Sequence, residues 1–278
     1  MDRVSDPGHP DRPNEDRCGQ NGAFAWVIDG ATGLGDTPLL SAPSDAAWLA
    51  TVLHEAFCEA ADQATSPAAL LTLAADVAAR RFVAERHRAP DHRYEIPTAS
   101  VMLAHFGDDG VHMAELGDCA AHMRTGEQRV RYGGAAAGRE RERQNARRLM
   151  AEGLPMGVGK GRSPQLLAFL RDVRNRANAP GGYRVISPEP ESAAPARCHH
   201  HRAVAGEALL LTDGYEAAID DYGLYTAASL MDESATLATP LAALRAVERD
   251  DPLCQRHPRF KPSDDATALF LRYGAVQV

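Results

Sequence analysis

Carboxylate side chains recur at four places in this 278-residue chain, in the segments NED at 14–16, VIDG at 27–30, LTDG at 211–214 and SDDAT at 263–267. A carboxylate just beyond an apolar strand lies at the rim of a sheet, where several strands can direct side chains into one cleft. Two carboxylates about 4 Å apart repel by about 4 kcal/mol at an effective dielectric constant near 20. Such a cluster persists when protons or divalent cations neutralise it, and all-oxygen ligands favour Mg²⁺, Mn²⁺ or Ca²⁺ over zinc.

Two of the four segments are the same unit, an apolar run followed by Asp29-Gly30 or by Asp213-Gly214. Glycine after the aspartate allows close approach of the backbone, so a carbonyl oxygen can serve as a further ligand. A single Asp-Gly after a strand is usually a turn, because both residues are preferred in turns. Four acidic segments in this order make a turn-only interpretation much weaker.

The hydrophobic pattern predicts the elements that must position these carboxylates. An apolar run at 23–28 is typical of a buried strand, and three- and four-residue spacing after Ser44 predicts an amphipathic helix. Ser66, with Pro67 in the first turn, predicts the start of a second helix. Three antiparallel strands are predicted at 97–106, 111–116 and 120–125.

Farther along the chain, predicted helices alternate with predicted strands. The helices lie at 136–151, 163–176, 214–220 and 240–250, with a glycine-rich break at 157–161, and the strands lie at 183–186, 196–204, 207–212 and 266–273. Residues 1–22, rich in Pro, Gly, Asp and Asn, are predicted to run along the surface in an extended form. Helix pairs between groups of strands indicate an α/β or α+β class with mainly antiparallel sheets, and two stacked sheets covered by helices suit the group sizes.

The amino-acid composition favours some classes of protein and argues against others. Hydrophobic residues make up 44% and charged residues 24%, as in ordinary globular chains. The net charge of −8 argues against general nucleic-acid binding. No apolar run approaches the roughly 20 residues of a membrane helix, and the polar N-terminus is neither a signal nor a transit peptide. Five scattered cysteines without a CxxC pair favour reduced thiols in the cytoplasm.

The ordered motifs resemble the metal-dependent Ser/Thr protein phosphatases of type 2C over nearly the whole chain. The matching segments are NEDR at 14–17, AWVIDGATG at 25–33, PTASVML at 97–103, AELGDCAAHM at 114–123, ALLLTDGYEAAID at 208–220 and SDDATALFL at 263–271. The resemblance implies one α+β domain over residues 1–278, with two stacked antiparallel β-sheets flanked by helix layers (an α-β-β-α sandwich). It also implies a site for two metal ions, Mn²⁺ or Mg²⁺, at one edge of the sheets.

The resemblance assigns metal-site roles to six residues, one of which, Asp16, would act through metal-bound water. Asp29 would bridge the two ions, and the carbonyl of Gly30 would complete one of them. Asp213 and Asp264 would hold the other ion. Asp118, in the GDC turn, matches the aspartate that binds a third, weaker ion in bacterial members of the family.

The same resemblance implies how phosphate and water would be handled. Asp16, with help from Glu15, would orient metal-bound water. An arginine normally clamps the phosphate because its planar fork matches the phosphate oxygens. Arg12 is the candidate for this role, and Arg17 is the reserve. The implied catalytic residues are Asp29, Asp213, Asp16 and Arg12.

The implied reaction is hydrolysis of phosphoserine and phosphothreonine on proteins. Two ions would lower the pKa of a bridging water and stabilise charge during in-line displacement, without a covalent phosphoenzyme. Phosphorylated protein would be the partner, and we expect no general nucleic-acid binding and no membrane association. The sequence does not specify the physiological substrate, the native metal or the oligomeric state.

Four positions depart from the family pattern. Ala31 stands where some members have a histidine proposed as general acid, so metal-bound water or the solvent would protonate the leaving group. Ala217, with Glu216 beside it, replaces an aspartate that the family often has, which leaves the third ion site open. Pro97 and Cys119 replace a glycine and a serine, and we interpret both as structural variation.

The run Cys198-His199-His200-His201 has the residue types of a metal site. Adjacent side chains on a strand point to opposite faces, so neighbours in sequence rarely chelate one ion together. No second cluster has matching spacing. We therefore interpret the run as a partly exposed polar strand.

The segment 124–184 contains 14 Arg and Lys against five acids, a balance of +9 that leaves −17 for the rest of the chain. In the family this place holds an irregular flap beside the active site. The sequence supports two interpretations of this segment equally. It is either a basic flap-like insert that attracts acidic phosphorylated substrates or a solvated helical surface.

Two other functions fit the same residues. One is a catalytically weak, phosphatase-like regulator that binds a phosphoprotein, which Ala31 and Ala217 would allow. Retention of Asp29, Asp213 and Asp264 argues against it, because a binding module has no need to maintain such repulsion. The other is a phosphatase that acts on a small phosphorylated metabolite, which the motifs do not exclude.

Overall fold

Two antiparallel sheets of five strands each carry the acidic segments. A computed structural model of the chain describes residues 1–134, 136–154, 163–232 and 236–274. The strands are β1 (Asp2–Asp6), β2 (Asp16–Asn21), β3 (Phe24–Gly30), β4 (Ala99–Gly107), β5 (Gly110–Leu116), β6 (Ala120–Thr125), β7 (Gln128–Gly133), β8 (Arg197–His201), β9 (Gly206–Leu211) and β10 (Ala266–Tyr273). The first sheet has the order β1-β10-β9-β6-β7, and the second has the order β2-β3-β4-β5-β8.

Helices cover the outer faces of the sheets. They are α1 (Asp45–Ala60), α2 (Pro67–Glu85), α3 (Ala136–Ala151), α4 (Pro164–Arg174), α5 (Asp213–Asp220), α6 (Ala227–Asp232) and α7 (Ala238–Arg249). The helices α1 and α2 pack on the second sheet, and α5 packs on β10 and α7. Ser44 and Ser66 cap α1 and α2, accepting hydrogen bonds of 3.0 and 3.2 Å from the backbone N–H groups of Ala47 and Ala69. None of the described helices has both the length and the apolar character needed to cross a bilayer.

Alternating residues of the second sheet divide its apolar side chains between two layers. Trp26 and Ile28 face α1 and α2, whereas Val27 packs in the layer between the sheets together with Leu210 and Leu269 of the first sheet. All five side chains are fully buried. Successive side chains of a strand point to opposite faces of the sheet, so a strand covered on both faces buries every residue. The apolar run at 23–28 is therefore explained by burial on both sides.

The structure confirms the α+β sandwich and corrects three details. Residues 1–22 are largely extended and lie mostly at the surface, as predicted, but β1 and β2 are also edge strands that pair with β10 and β3. The predicted strand at 183–186 is reduced to a single bridge between Ala99 and Ile186. The strand β7 and the helix α6 were not predicted. The glycine-rich break at 157–161 lies outside the described residues, as do residues 135 and 155–162 of the segment 124–184.

Candidate metal centre

The ends of neighbouring strands bring acidic side chains to one edge of the second sheet. Asp16 of β2 lies directly opposite Asp29 of β3, and Asp29 lies opposite Ser100 of β4. Asp118 follows β5 in the turn to β6, and Ser100 Oγ donates a hydrogen bond of 2.6 Å to Asp118 Oδ1. Because directly opposed residues have Cβ atoms about 5 Å apart, the register of these strands sets the spacing of the carboxylates.

The first sheet adds Asp213 at the same edge. Asp213 is the first residue of α5 and follows β9 after one intervening residue. Carboxylate oxygens of Asp29, Asp118 and Asp213 all lie within 4.8 Å of one another. We call the following four residues the carboxylate centre: Asp16, Asp29, Asp118 and Asp213.

A threonine joins the two sheets beneath this centre. Thr212 Oγ1 donates a hydrogen bond of 2.8 Å to Asp16 Oδ2 and accepts one of 2.9 Å from the backbone N–H of Thr267. Thr212 and Thr267 are both fully buried. The link therefore fixes Asp213, the next residue, relative to Asp16 on the other sheet.

Two glycines allow the close approaches on which the centre depends. Gly117 has a φ of +86°, and a Cβ atom there would lie 2.1 Å from Ser100 Oγ. A side chain at this position would therefore displace the serine that binds Asp118. At Gly214 a Cβ atom would lie 2.0 Å from the carbonyl oxygen of Asp265. The Asp-Gly pattern thus reflects tight backbone packing as well as turn formation.

Two acidic residues beside the centre are engaged in hydrogen bonds to the surrounding loops. Glu15 accepts hydrogen bonds of 2.6 Å from both Ser44 Oγ and Thr32 Oγ1, one on each carboxylate oxygen. Asp265 accepts hydrogen bonds of 2.9 and 2.6 Å from the backbone N–H groups of Gly8 and Glu15. These contacts hold the loop before β2 against the start of α1.

Burial raises the pKa of Asp29 and of Asp16 well above the usual range of an aspartate, and neighbouring carboxylates raise both further. For Asp29 the largest of these charge effects comes from Asp213. The pKa of Asp213 is raised too, by burial first and then by Asp118. A cation that binds Asp16, Asp29 and Asp213 would therefore compete with protons for these carboxylates.

The donor atoms of the centre fit a divalent cation. Asp16 Oδ1 is buried and has no hydrogen-bond partner among the described residues. All donors are oxygens, which suits hard ions such as Mn²⁺ and Mg²⁺. Asp29, Asp118 and Asp213 are the residues that converge, and Gly30 ends β3 next to them.

Asp264, another predicted ligand, already has a cation as its partner. Lys261 Nζ forms an ion pair with Asp264 Oδ1, and the backbone N–H of Asp265 donates a hydrogen bond of 2.9 Å to the same oxygen. Although burial lowers the pKa of Lys261, the carboxylates of Asp264, Asp213 and Asp29 raise it overall. Lys261 was missed in the sequence, although it is one of two lysines in the chain and lies three residues before Asp264.

The two predicted phosphate clamps have different surroundings. Arg12 is exposed in the loop before β2. Arg17 is half-buried, and its Nη1 donates hydrogen bonds of 2.9 and 2.6 Å to the carbonyl oxygens of Asn14 and Asp16. Its Nη2 donates one of 3.0 Å to Thr51 Oγ1 in α1. Arg17 therefore holds β2 to α1, and its guanidinium is less available than that of Arg12.

A fully buried carboxylate, that of Glu216, lies one turn along α5 from Asp213. Glu216 Oε2 accepts a hydrogen bond of 2.9 Å from Arg139 Nη2, and Glu216 Oε1 lies 3.0 Å from both His122 Nε2 and Arg131 Nη2. Arg139 also donates a hydrogen bond of 3.1 Å to the carbonyl oxygen of Asp213. Glu216 is thus engaged by its own cations. We call the following residues the Glu216 cluster: Glu216, His122, Arg131 and Arg139.

The segment 124–184 borders the site through both of its helices, while its strand β7 belongs to the first sheet. Arg143 of α3 donates a hydrogen bond of 2.7 Å from Nη1 to Asp221 Oδ1, just after α5. Arg171 of α4 donates one of 2.9 Å from Nε to the carbonyl oxygen of Leu34, in the loop after β3. Several arginines that give the segment its positive charge are therefore tied to the acidic body of the molecule.

A cleft of about 150 Å³ opens between α3, α5 and the loop that carries Lys261. Asp213 and Asp264 line it on one side, and Arg147 and Glu142 of α3 line it on the other. Glu142 keeps contact with solvent, yet the surrounding protein atoms and the carboxylate of Asp213 raise its pKa. The cleft therefore places basic and acidic groups of the segment next to the carboxylate centre.

Most of the predicted site residues come together at this edge. Asp16, Asp29, Asp118 and Asp213 converge, Asp264 lies beside them with Lys261, and Arg12 is exposed on the adjacent loop. Lys261, Glu142 and Arg139 were not predicted. Glu142 and Arg139 lie in an arginine-rich helix whose sequence does not show which side chains turn inward.

Structural comparison with known proteins supports the fold, whereas sequence comparison finds no match. No protein-family model matches the chain, and no curated protein matches its sequence. The Ser/Thr phosphatase PstP/Ppp of Mycobacterium tuberculosis matches with a TM-score of 0.57 and 13% identity, over 99% of this chain and 98% of that one. A structure of the PstP catalytic domain in complex with 2 manganese ions matches with a TM-score of 0.55 and 13% identity, over 99% and 97%.

Two further phosphatases of known structure have the same fold as this chain. The PPM Ser/Thr phosphatase MsPP of Mycobacterium smegmatis, in complex with cacodylate, has a TM-score of 0.55 and 14% identity, over 99% of this chain and 97% of that one. Stp1 of Staphylococcus aureus has a TM-score of 0.56 and 13% identity, over 99% and 94%. The chain therefore has the fold of the PPM Ser/Thr phosphatases, as its motifs predict.

Proposed function

We propose that this chain is a metal-dependent phosphatase that hydrolyses phosphoserine and phosphothreonine on proteins. The observation that carries the proposal is the convergence of Asp29, Asp118 and Asp213 within 4.8 Å, at a sheet edge of a PPM phosphatase fold. Mutual repulsion among these half-buried carboxylates is costly in a protein that never binds a cation there. The two manganese ions of PstP support the same choice of metal.

In this proposal the strand-end carboxylates hold the ions. Asp29 and the carbonyl of Gly30 would hold one ion, and Asp213 and Asp264 would hold the other together with Asp29. Asp118 would hold a third. When bound, Mn²⁺ or Mg²⁺ would supply Lewis-acid activation of water and stabilise the charge of the phosphoryl group. Asp264 must exchange its contact with Lys261 for a metal contact, which makes its site the weaker of the two.

Asp16 is proposed to orient the attacking water. Thr212 holds Asp16 Oδ2, and Asp16 Oδ1 has no partner among the described residues. One oxygen is therefore fixed while the other can accept a hydrogen bond from water. Arg12 is proposed to bind the phosphate, because its exposed guanidinium lies on the loop directly before Asp16.

A protein substrate is favoured by the helices that border the centre. The segment 124–184 places Arg147 on the wall of the cleft beside Asp213. Basic groups at that position would attract an acidic phosphorylated segment more strongly than a small aryl phosphate. We therefore expect kcat/KM for a phosphopeptide to fall more steeply with salt than kcat/KM for an aryl phosphate. Equal salt slopes would favour a small phosphorylated metabolite instead.

A second candidate function is a catalytically weak regulator that binds a phosphoprotein. The ion pair between Lys261 and Asp264 favours it, because a lysine beside a metal ligand competes with the metal. Calorimetric titration with Mn²⁺ separates the two functions. A regulator would bind no Mn²⁺, or would bind it without turning over substrate.

The test is turnover of an aryl phosphate and a phosphothreonine peptide with Mn²⁺. We expect Asp29→Asn and Asp213→Asn each to lower kcat/KM by at least about 100-fold, since each removes charge that acts at the reacting centre. Asp108→Asn is the matched control, because Asp108 is exposed in the turn between β4 and β5. Metal-independent activity, or full activity in both centre variants, would refute the proposal.

A further inference from the structure

Three side chains of metal-binding type meet at the end of the second sheet that lies farthest from the carboxylate centre. They are Asp109 in the turn between β4 and β5, His112 on β5 and His200 on the edge strand β8. We propose that Asp109, His112 and His200 form a separate site for a divalent transition metal ion that prefers nitrogen ligands, such as Ni²⁺ or Zn²⁺.

The ligand atoms already converge. His112 Nε2 lies 2.9 Å from Asp109 Oδ1, and His200 Nε2 lies 3.7 Å from Asp109 Oδ2. One atom from each of the three residues lies within 4.8 Å of the others. Ligand bonds of about 2.0–2.1 Å place ligand atoms roughly 3–3.5 Å apart around a tetrahedral ion. Binding would require the two stacked imidazoles to turn so that both Nε2 lone pairs meet at the ion, and His200 Nε2 to leave the carbonyl oxygen of Asp109, 3.0 Å away.

The sheet itself pre-organises the two imidazoles. His112 and His200 are directly opposite each other in the antiparallel pairing of β5 and β8. Their rings stack with centroids 4.1 Å apart and an interplanar angle of 12°. Cross-strand partners point to the same face, so both Nε2 atoms reach the same side of the sheet. Asp109 is brought to them by the tight turn that pairs Gly107 with Gly110.

The residue types distinguish this site from the carboxylate centre. Two imidazoles and one carboxylate suit Zn²⁺, Ni²⁺, Co²⁺ or Cu²⁺, whereas the oxygen-only centre suits Mg²⁺ and Mn²⁺. The side chains of Asp109, His112 and His200 are 68%, 39% and 34% exposed, so water can complete the coordination. Ser100, at the carboxylate centre, and His105, which is opposite His112, are about 17 Å apart along β4. The two sites are therefore separate.

The neighbours of His200 on β8 take no part. His199 lies 3.3 Å from Glu115 Oε1 on the opposite face of the sheet, and His201 contacts Tyr132 Oη at 3.2 Å. The sequence argument against chelation by consecutive histidines is therefore correct for this run. The partner of His200 lies instead on another strand, where only the sheet register can place it.

Binding would clamp the turn between β4 and β5 to the edge strand β8. A ligand that binds only the folded state raises the free energy of unfolding in proportion to the logarithm of its concentration above Kd. Occupation of the site should therefore raise the melting temperature of the protein. This effect does not depend on phosphatase activity, so it is testable even if the proposed function fails.

The test is calorimetric titration of the full chain with Ni²⁺ in excess Mg²⁺, which would compete with Ni²⁺ for the carboxylate centre. We expect one Ni²⁺ per chain and a rise in melting temperature. His112→Ala and His200→Ala should each weaken binding by at least about 10-fold and remove the rise, since each takes away one of three ligands. Both residues are partly exposed, so both variants are expected to fold.

The matched control is His199→Ala, which changes the adjacent histidine on the opposite face. It should leave the affinity for Ni²⁺ unchanged. The proposal is overturned if Ni²⁺ binds with the same affinity to His112→Ala and His200→Ala, or if His199→Ala weakens binding as much as they do. It is also overturned if Cys58→Ser removes the binding, because Cys58 Sγ and His54 Nε2 form a competing pair 3.7 Å apart.

Discussion

Two carboxylates of α5, Asp213 and Glu216, have contrasting surroundings. Asp213 faces Asp29 and Asp118, and all three carboxylates lie close together. Glu216 faces His122, Arg131 and Arg139, which supply cationic or hydrogen-bonding groups. Glu216 is fully buried, whereas Asp213 is half-buried. Glu216 pairs directly with arginine side chains, whereas Arg139 and Lys261 only partly offset the negative charge around Asp213.

The difference indicates which region is structural and which is a binding site. A buried charge is stable when it is paired and hydrogen-bonded, and it is costly when it is not. The Glu216 cluster satisfies this condition with its own side chains, whereas the carboxylate centre satisfies it with protons or added cations. Removing a cation from the cluster should therefore damage folding, and adding a cation to the centre should stabilise it.

The largest effect is expected from Arg139→Ala. The change leaves Glu216 buried with fewer partners and should lower the free energy of unfolding by about 3–5 kcal/mol. Urea denaturation of the metal-free protein measures it. Arg148→Ala is the control, because Arg148 forms an exposed pair with Glu152 in the same helix and should cost less than about 0.5 kcal/mol. Equal losses in the two variants would show that the cluster is not the main stabilising contact of Arg139.

The next effect concerns Mn²⁺. At a concentration 100 times its Kd, Mn²⁺ should raise the free energy of unfolding by about 2.7 kcal/mol, because it binds the folded state. Thermal denaturation with and without Mn²⁺ measures the effect. Asp29→Asn should remove most of this gain, whereas Asp108→Asn should keep it. A gain that persists in Asp29→Asn would place the stabilising ion elsewhere.

In the metal-free protein, Asp29→Asn should increase stability near pH 7. The folded state raises the pKa of Asp29, so its contribution to stability is complete below the unfolded pKa and is lost as pH rises through the folded pKa. Above the folded pKa the ionised carboxylate destabilises the folded state, so the neutral amide of the Asp29→Asn variant should give the more stable protein. Denaturation in a chelator from pH 4 to 8 should show the wild type losing stability relative to Asp29→Asn. A constant difference would contradict the shift.

The smallest effect is expected from Lys261→Gln. Removing the ammonium that pairs with Asp264 frees that carboxylate, and affinity for the more weakly held Mn²⁺ should increase several-fold, as for loss of a partly exposed ion pair. Calorimetric titration with Mn²⁺ measures the change. If Lys261 instead binds the substrate phosphate, Lys261→Gln would raise KM and leave the affinity for Mn²⁺ unchanged.

The centres of both sheets were predictable because their strands are apolar. The run that ends at Asp29 and the run that ends before Asp213 are buried on both faces, so their sequence pattern identifies them. The strands that were missed, β1, β2 and β7, all lie at sheet edges. Edge strands are more exposed and carry polar residues that local pattern does not distinguish from loops.

The candidate site was also predictable only in part, namely for the aspartates at strand ends. Asp16, Asp29, Asp118 and Asp213 lie at strand ends that meet because the sheets stack, and an ordered set of motifs is sufficient to find them. The contact of Lys261 with Asp264 and the partners of Glu216 depend on loop paths and on side-chain direction. The pairing of His112 with His200 depends on register between strands far apart in the chain. None of these follows from a local pattern.

The most direct test of the account is anomalous diffraction from crystals grown with Mn²⁺. Two manganese peaks about 3.5–4 Å apart, both contacted by the carboxylate of Asp29, are the expected result. Asp213 should contact at least one of them, and Glu216 should contact neither. Density for a single ion that lacks Asp29 as a ligand, or no manganese at the carboxylate centre, would contradict the account.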